Sequence, residues 1–347
     1  MIEDPPGMTA RVVHIIDAAC DADAVLEALL VAQGEPLLCA GPPPEWASLE
    51  TVLPLESRRP GAVQAAAALR DGATARCWSI SSGCACVEQR QESVGAVAVR
   101  IASPLSAYQF SQLLELQRKT RLWAVCADRT LAAGLASAGL AEAVRVIPPP
   151  AVAGEAPNRS AARERLGIGT GEFVVAACGG VHARSGHRVA VWAAAVLTVA
   201  DVPIRVIVPR TGQAARAALG FAAAAGFGPQ LLSAPRHTAS ELAEMLSAVD
   251  AALLLNTDAL PPVPLAAAMR TGLPLVASDI PAAADWLENG RTALLAAPDL
   301  PRAVSQALLR VYEDRALAAR LGEAARASAG DRFDPPAVRR LWDALAG

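Results

Sequence analysis

Ala268-Met-Arg-Thr-Gly-Leu-Pro-Leu-Val-Ala277 reads as a helix that stops and a strand that begins. The segment Pro264 to Arg270 carries proline near its first turn, where backbone N–H groups have no partner inside the helix anyway. Gly272 stands at its end, where the chain must turn without a Cβ in the way. Leu273 to Ala277 is then a short apolar strand. Moving upstream, the same alternation recurs. A helix is expected at Ser160 to Leu166, a strand at Glu172 to Ala177, a Gly179-Gly180 turn, a helix containing Trp192, a strand at Pro203 to Val208, a helix at Leu242 to Leu246 and a strand at Ala251 to Leu255. Downstream, Val304, Leu308 and Val311 space an apolar face along Arg302 to Glu313. Short apolar runs alternating with helical stretches argue for a parallel sheet covered by helices, so this half reads as a doubly wound sheet.

Pro148-Pro149-Pro150 interrupts the pattern, because three prolines continue neither a helix nor a central strand. With 347 residues suggesting two domains, the boundary is placed here, giving 1–150 and 151–347. The first half repeats the alternation with strands at Arg11 to Ile16, Pro36 to Ala40, Ala75 to Ile80, Val94 to Ile101, Leu122 to Cys126 and Val144 to Ile147. Helices are expected at Ala22 to Gln33, Ala62 to Leu69, around Leu113 to Arg118 and at Thr130 to Ala138, while Ser81 to Ser93 is polar and loop-like.

Composition narrows the class. Hydrophobic residues make up 53% of the chain and aromatics only 4%, so the cores are aliphatic. Lys119 is the only lysine, and the formal net charge of -3 offers none of the concentrated positive charge that nucleic acid demands. The seven cysteines lie mostly in apolar runs, without the density of a disulfide framework. The Cys84–Cys86 pair has no further ligands at metal-site spacing, so no metal is expected. The first residues lack a signal peptide's basic start and apolar core, and no run reaches the roughly 18 apolar residues of a spanning helix. A cytoplasmic protein with at most peripheral membrane contact is expected. No G-x-G-x-x-G follows a strand, which argues against a dinucleotide-binding oxidoreductase.

From about Leu122 onward, an ordered set of segments resembles the family-four group of retaining GT-B glycosyltransferases. Val144-Arg-Val-Ile-Pro148 resembles the strand that closes the N-terminal domain, and Arg163-Glu-Arg-Leu-Gly167 the helix and glycine that open the C-terminal one. Gly179 to His187 corresponds to the glycine turn, and Asp250-Ala-Ala-Leu-Leu-Leu255 to the strand leading to the donor site. Ala268 to Ala277, then Asp279 to Gly290 with Ala293-Leu-Leu295, and finally Glu313 to Ala325, follow in the family's order. In the first half, Val12 to Asp17 resembles the opening strand, and the middle is divergent. The resemblance implies two Rossmann-like doubly wound domains facing a cleft: a short acceptor-side domain, and a donor domain that binds a nucleotide-sugar as co-substrate, with no other cofactor.

The resemblance also implies residues that this chain lacks. The family's Gly-rich loop after the first strand is here Ala18 to Asp23, glycine-free and carrying two acids. The family's Arg and Lys, which neutralise the departing diphosphate as developing charge requires, fall at Gly180 and Ser185. Arg184 adjoins them as a substitute. The family's two glutamates fall at Ala259 and Ala267, with Asp258 the stand-in for the first. The donor-binding candidates are thus Gly179, Gly180, Arg184, Ser185, Arg210, Asp258, Pro262 and Leu265, Arg210 because ligands gather at the carboxyl ends of strands. No catalytic residue is assigned. Among the histidines, His14 reads as a packed core residue in the first strand, His182 and His187 flank the donor turn with His187 in a capping or surface role, and His237 carries no role. Asp285 matches a family acid and reads as structural. Two expectations follow. One is a glycosyltransferase acting on a glycan, lipid or small-molecule acceptor. The other is an inactive pseudo-glycosyltransferase that binds or partners another protein.

Overall fold

The computed structural model describes residues 12–16, 22–33, 37–39, 52–54, 74–90, 94–152, 158–180, 183–210, 212–234 and 238–345. The expected helix at 62–69, the loop 17–21, His182 and His237 lie outside these residues.

Among the described residues, thirteen strands form two sheets. The first holds β1 (Val12–Ile16), β2 (Leu37–Cys39), β3 (Val52–Pro54), β4 (Thr74–Cys77), β5 (Ala96–Ile101), β6 (Arg121–Cys126) and β7 (Val144–Val146), in the order β3-β2-β1-β4-β5-β6-β7. The second holds β8 (Phe173–Ala177), β9 (Ile204–Pro209), β10 (Leu231–Ala234), β11 (Ala251–Leu254), β12 (Leu275–Ser278) and β13 (Leu294–Ala296), in the order β10-β9-β8-β11-β12-β13. Every pairing is parallel, with registers such as Val13 on Ala75 and Ala251 on Val175. Both orders double back once, between β1 and β4 and between β8 and β11. That reversal opens a crevice at the carboxyl ends of those strands.

Central strands are buried along their whole length, as parallel strands covered on both faces must be: β5 and β8 expose nothing. The segment around Gly272 takes the expected form. Helix Pro262–Thr271 has prolines in its first turn and ends at Gly272 in the left-handed conformation (φ 75°), whose N–H donates to the Met269 carbonyl. Leu275–Ser278 follows as β12, wholly buried.

Three elements depart from the sequence reading. The loop expected over Ser81 to Ser93 is overturned in its described part. Its first part belongs to helix Ile80–Arg90, which Ser79 starts: the Ser82 N–H donates to Ser79 Oγ (2.9 Å), and the Ser79 N–H donates back to Ser82 Oγ (3.1 Å). Serines that read as loop formers act as caps. Helix Gln213–Ala224 with strand β10 fills a stretch whose alanines give no periodic face to recognise. Helix Pro335–Asp343 leaves the second half and packs beside helix Ala22–Ala32 of the first. There Trp342 meets Trp78 at 4.9 Å between ring centroids, and Asp343 pairs with the buried Arg76 at 2.5 Å.

The two halves also meet across helix Arg129–Leu135, which packs on the turn Pro281–Asp285. Asp128 caps this helix by accepting from the Leu131 N–H (2.8 Å), while Asp285 from the other half accepts from the Arg129 N–H (2.5 Å). Arg332 donates to the Asp285 carbonyl (2.9 Å) and lies over the Trp286 ring at 4.4 Å. Asp285 is therefore structural, as the sequence suggests.

Candidate functional site

At the carboxyl ends of the reversal strands, the two halves enclose a cavity of about 460 Å³. The first half contributes Ala24 and Glu27 from the helix after β1, Trp78 directly after β4, Arg100 near the end of β5, and Ala102, Ser103 and Gln109 beyond it. The second half contributes Gly180, Arg184 and Ser185 after β8, and Asn256 to Pro262, apart from Thr257, after β11.

The second-half wall is fixed by close backbone packing. Helix His187–Val199 starts at Gly186, whose φ of 73° and open α-carbon let the chain pass Leu255. A Cβ there would stand 2.3 Å from the Leu255 carbonyl oxygen. Among the described residues, no side chain caps this helix. His187 is buried rather than at the surface, and its Nε2 lies 3.0 Å from the Gly180 carbonyl; a carbonyl accepts, so Nε2 carries the proton. The histidine pins the glycine turn, a role its sequence position does not announce. His14 is buried in β1 and stacked with Trp78, the core role read for it.

The candidates separate on this frame. Gly180, Arg184, Ser185, Asp258 and Pro262 line the cavity. Gly179 packs so tightly against Ser185 that a Cβ would stand 2.2 Å from the Ser185 carbonyl oxygen. Leu265 is buried in the core of the second half, and Arg210 is exposed; neither lines the cavity. Arg184 and Asp258 face each other, with guanidinium and carboxylate 3.2 Å apart, and the Thr257 N–H donates to the Arg184 carbonyl. Arg184 is thus held by Asp258. Ala259 and Ala267 are buried, and Ala259 lines the cavity.

Residues from the first half, none of them singled out in the sequence, supply the rest. Arg100 and Glu27 form an ion pair (2.6 Å) whose side chains are 1% and 3% exposed. Arg100 also donates to the carbonyls of Cys126 (3.2 Å) and Ile147 (2.6 Å), which ties it to the strand ends just before the three prolines. A strand of alternating Ala and Val that ends in Arg is the only sequence signal for it.

Four lining residues bury polar atoms that have no partner among the described residues: Ser185 Oγ, Asn256 Oδ1, Trp78 Nε1 and Arg100 Nε. Buried polar groups are nearly always satisfied, so these four atoms on cavity-lining residues are unusual and call for an explanation. They offer both donors and an acceptor, which suits a ligand rich in hydroxyl and phosphoryl oxygens.

Comparison with solved structures places this architecture. HepE from Anabaena, solved with UDP and glucose, superposes with a TM-score of 0.77 at 16% identity, covering 97% of this chain and 99% of that one. The sucrose-phosphate synthase of Thermosynechococcus elongatus gives 0.67 at 18% identity over 96% and 98%. WaaG, a glycosyltransferase involved in lipopolysaccharide biosynthesis, gives 0.68 at 12% identity over 95% and 99%. The fold is GT-B. Within it, residues 172–314 match the family described as glycosyl transferases group 1. No curated protein matches the chain in sequence. The cavity is accordingly the interdomain cleft of a GT-B protein, and the group 1 match covers its second wall.

Away from the cavity lining, burial shifts three groups. It pushes the Cys126 thiol up to about 12, and it raises the Asp128 carboxyl above its usual value, with the nearby Asp285 adding to the effect. Burial lowers the Arg332 guanidinium, with Arg129 adding to the effect. Among the described residues, no three His, Cys, Asp or Glu side chains gather as metal ligands, and no helix is long and apolar enough to cross a membrane.

Proposed function

We propose that the chain transfers a glycosyl group from a nucleotide-sugar donor to an acceptor hydroxyl, with the donor diphosphate held at the start of helix His187–Val199. The observation that carries this reading is the set of partnerless buried polar atoms on both cleft walls, Ser185 Oγ foremost. An uncapped helix start presents N–H groups and positive dipole to an anion, and Ser185 sits beside it. This arrangement stands in for the Arg and Lys that the family uses. Arg184 joins them once the diphosphate displaces Asp258 from it. Trp78, Arg100 and Asn256 meet the sugar hydroxyls.

UDP-sugars are the first donor class to try, since HepE was solved with UDP and with UDP-glucose. Retention of anomeric configuration, which the family-four resemblance implies, belongs to the same proposal, as does a two-domain division near residue 150. The inactive-partner reading rested on the missing charges; a cleft built with unsatisfied polar atoms supports ligand binding instead. Release of UDP from UDP-glucose and related donors, followed with and without simple sugar acceptors, tests the reading. Turnover that falls at least about tenfold in Arg184→Ala supports it, as loss of a charge-stabilising group costs ~3–4 kcal/mol in the transition state. Turnover indifferent to Arg184 and to Asn256→Ala contradicts it.

A further inference from the structure

Beside the cleft lies a second cavity, about 350 Å³, lined by Arg184, Arg188, Val189, Trp192, Thr257, Asp299 and Pro301. Arg184 lines both cavities. The second one opens beside a surface that does not suit water. Trp192 is 46% exposed, Val196 42% and Val199 87%. With Arg188 they occupy positions i, i+4, i+8 and i+11 of helix His187–Val199, one continuous stripe. The neighbouring helix Gln213–Ala224 packs alongside, with Phe221 against Trp192 at 5.5 Å, and exposes Arg216, Leu219, Gly220 and Ala223 on its own stripe. Leu300, between two residues of the second cavity, is half exposed. Most of the large apolar side chains exposed among the described residues are on this one face.

Neither helix contains a single Asp or Glu. The carboxylates beside them are Asp299 in the cavity, Asp258 already paired with Arg184, and Asp201 two residues beyond the end of the first helix. A second copy docking on the same patch by two-fold symmetry would bring Arg188 and Arg216 towards arginines with no acids on these helices to answer them. An anionic partner answers them. Tryptophan with an apolar body and one N–H is suited to the boundary between hydrocarbon and headgroups, and arginines flanking it favour anionic lipid.

We infer that helices His187–Val199 and Gln213–Ala224 form a docking face for an anionic lipid surface, with Trp192, Val196 and Val199 inserted and Arg188 and Arg216 at the headgroups. Docked this way, the second cavity meets the membrane plane and Arg184 separates it from the cleft, so a hydroxyl carried at the surface lies close to the donor site.

The test is co-sedimentation of the full chain with phosphatidylcholine vesicles and with vesicles containing phosphatidylglycerol, alongside analytical ultracentrifugation without lipid. Binding to the anionic vesicles only is expected, weakening about tenfold between low salt and a several-fold higher salt concentration as surface charges are screened. Val199→Asp and Leu219→Asp, both at exposed positions, should abolish it while leaving melting temperature and nucleotide binding unchanged; Trp192→Phe should retain part of it. Absence of binding at low salt overturns the inference, as does binding that survives Val199→Asp. A parent that dimerises without lipid and becomes monomeric in these variants assigns the face to a second copy and overturns it too. None of these readouts depends on glycosyl transfer.

Discussion

Ser185 concentrates the account into one atom. Its side chain is 2% exposed, its hydroxyl has no partner among the described residues, and it stands where a helix begins. Removing an unsatisfied buried hydroxyl relieves a desolvation cost, so Ser185→Ala should leave thermal stability unchanged or slightly raised. Binding of a nucleotide-sugar should weaken by about three- to tenfold, the worth of one hydrogen bond. A clear loss of stability would mean the hydroxyl serves the fold instead. Arg100 poses the opposite case. Its pairing with Glu27 is buried, so Arg100→Met strands a carboxylate and should cost about 3–5 kcal/mol in urea unfolding, much of it recovered when Glu27→Leu is added. If the double variant is no more stable than the single one, the ion pair is not the reason. Ser185 could be chosen from sequence through the family resemblance, as a position near the donor. Arg100 could not: an arginine near the end of an apolar strand is unremarkable until the fold brings it to the cavity. At Gly180, Ser185, Ala259 and Ala267 the resemblance marks positions whose family side chains are absent.

At the scale of elements, helix Arg129–Leu135 shows how a short helix can join two halves. Asp128 caps it from within and Asp285 meets its first turn from across the interface. Burial holds the Asp128 carboxyl above the ordinary 3.8, so the folded chain keeps that proton more tightly than the unfolded one. Its contribution to stability is therefore full below about pH 3.8 and is lost as pH rises through the folded value. Asp128→Asn preserves a cap acceptor and removes the titration. Its melting temperature should follow pH less steeply than the parent's as pH rises above the ordinary carboxylate value, and identical profiles would show that Asp128 does not titrate as described. Elements were legible where turn chemistry and apolar runs agree, as at Gly272 and β12. Legibility failed where serine capped a helix at Ser79, and where the alanines of Gln213–Ala224 carry no polar face. The return of helix Pro335–Asp343 to the first half is a long-range packing event, Trp342 on Trp78, and no local pattern encodes it.

At the scale of the molecule, two parallel sheets of the same strand order face each other with their reversal points opposed, and the cleft follows from that topology rather than from any motif. An interdomain cleft therefore follows from the topology whichever charged residues line it. The order of short apolar segments carried the fold, whereas the site's chemistry depends on which side chains meet across the cleft. The exposed apolar face beside it was equally hidden, because Trp192, Val199 and Leu219 come together only once two helices pack. The central claim is that the cleft binds a nucleotide-sugar. Thermal unfolding of the full chain with a panel of nucleoside diphosphates and nucleotide-sugars tests it most directly. A ligand of the folded state at about 100 times its dissociation constant adds ~2.7 kcal/mol. The account predicts a saturable rise in melting temperature for one nucleotide class, UDP first among them, reduced in Ser185→Ala and in Arg184→Ala. No rise with any nucleotide or nucleotide-sugar up to millimolar concentration would contradict it.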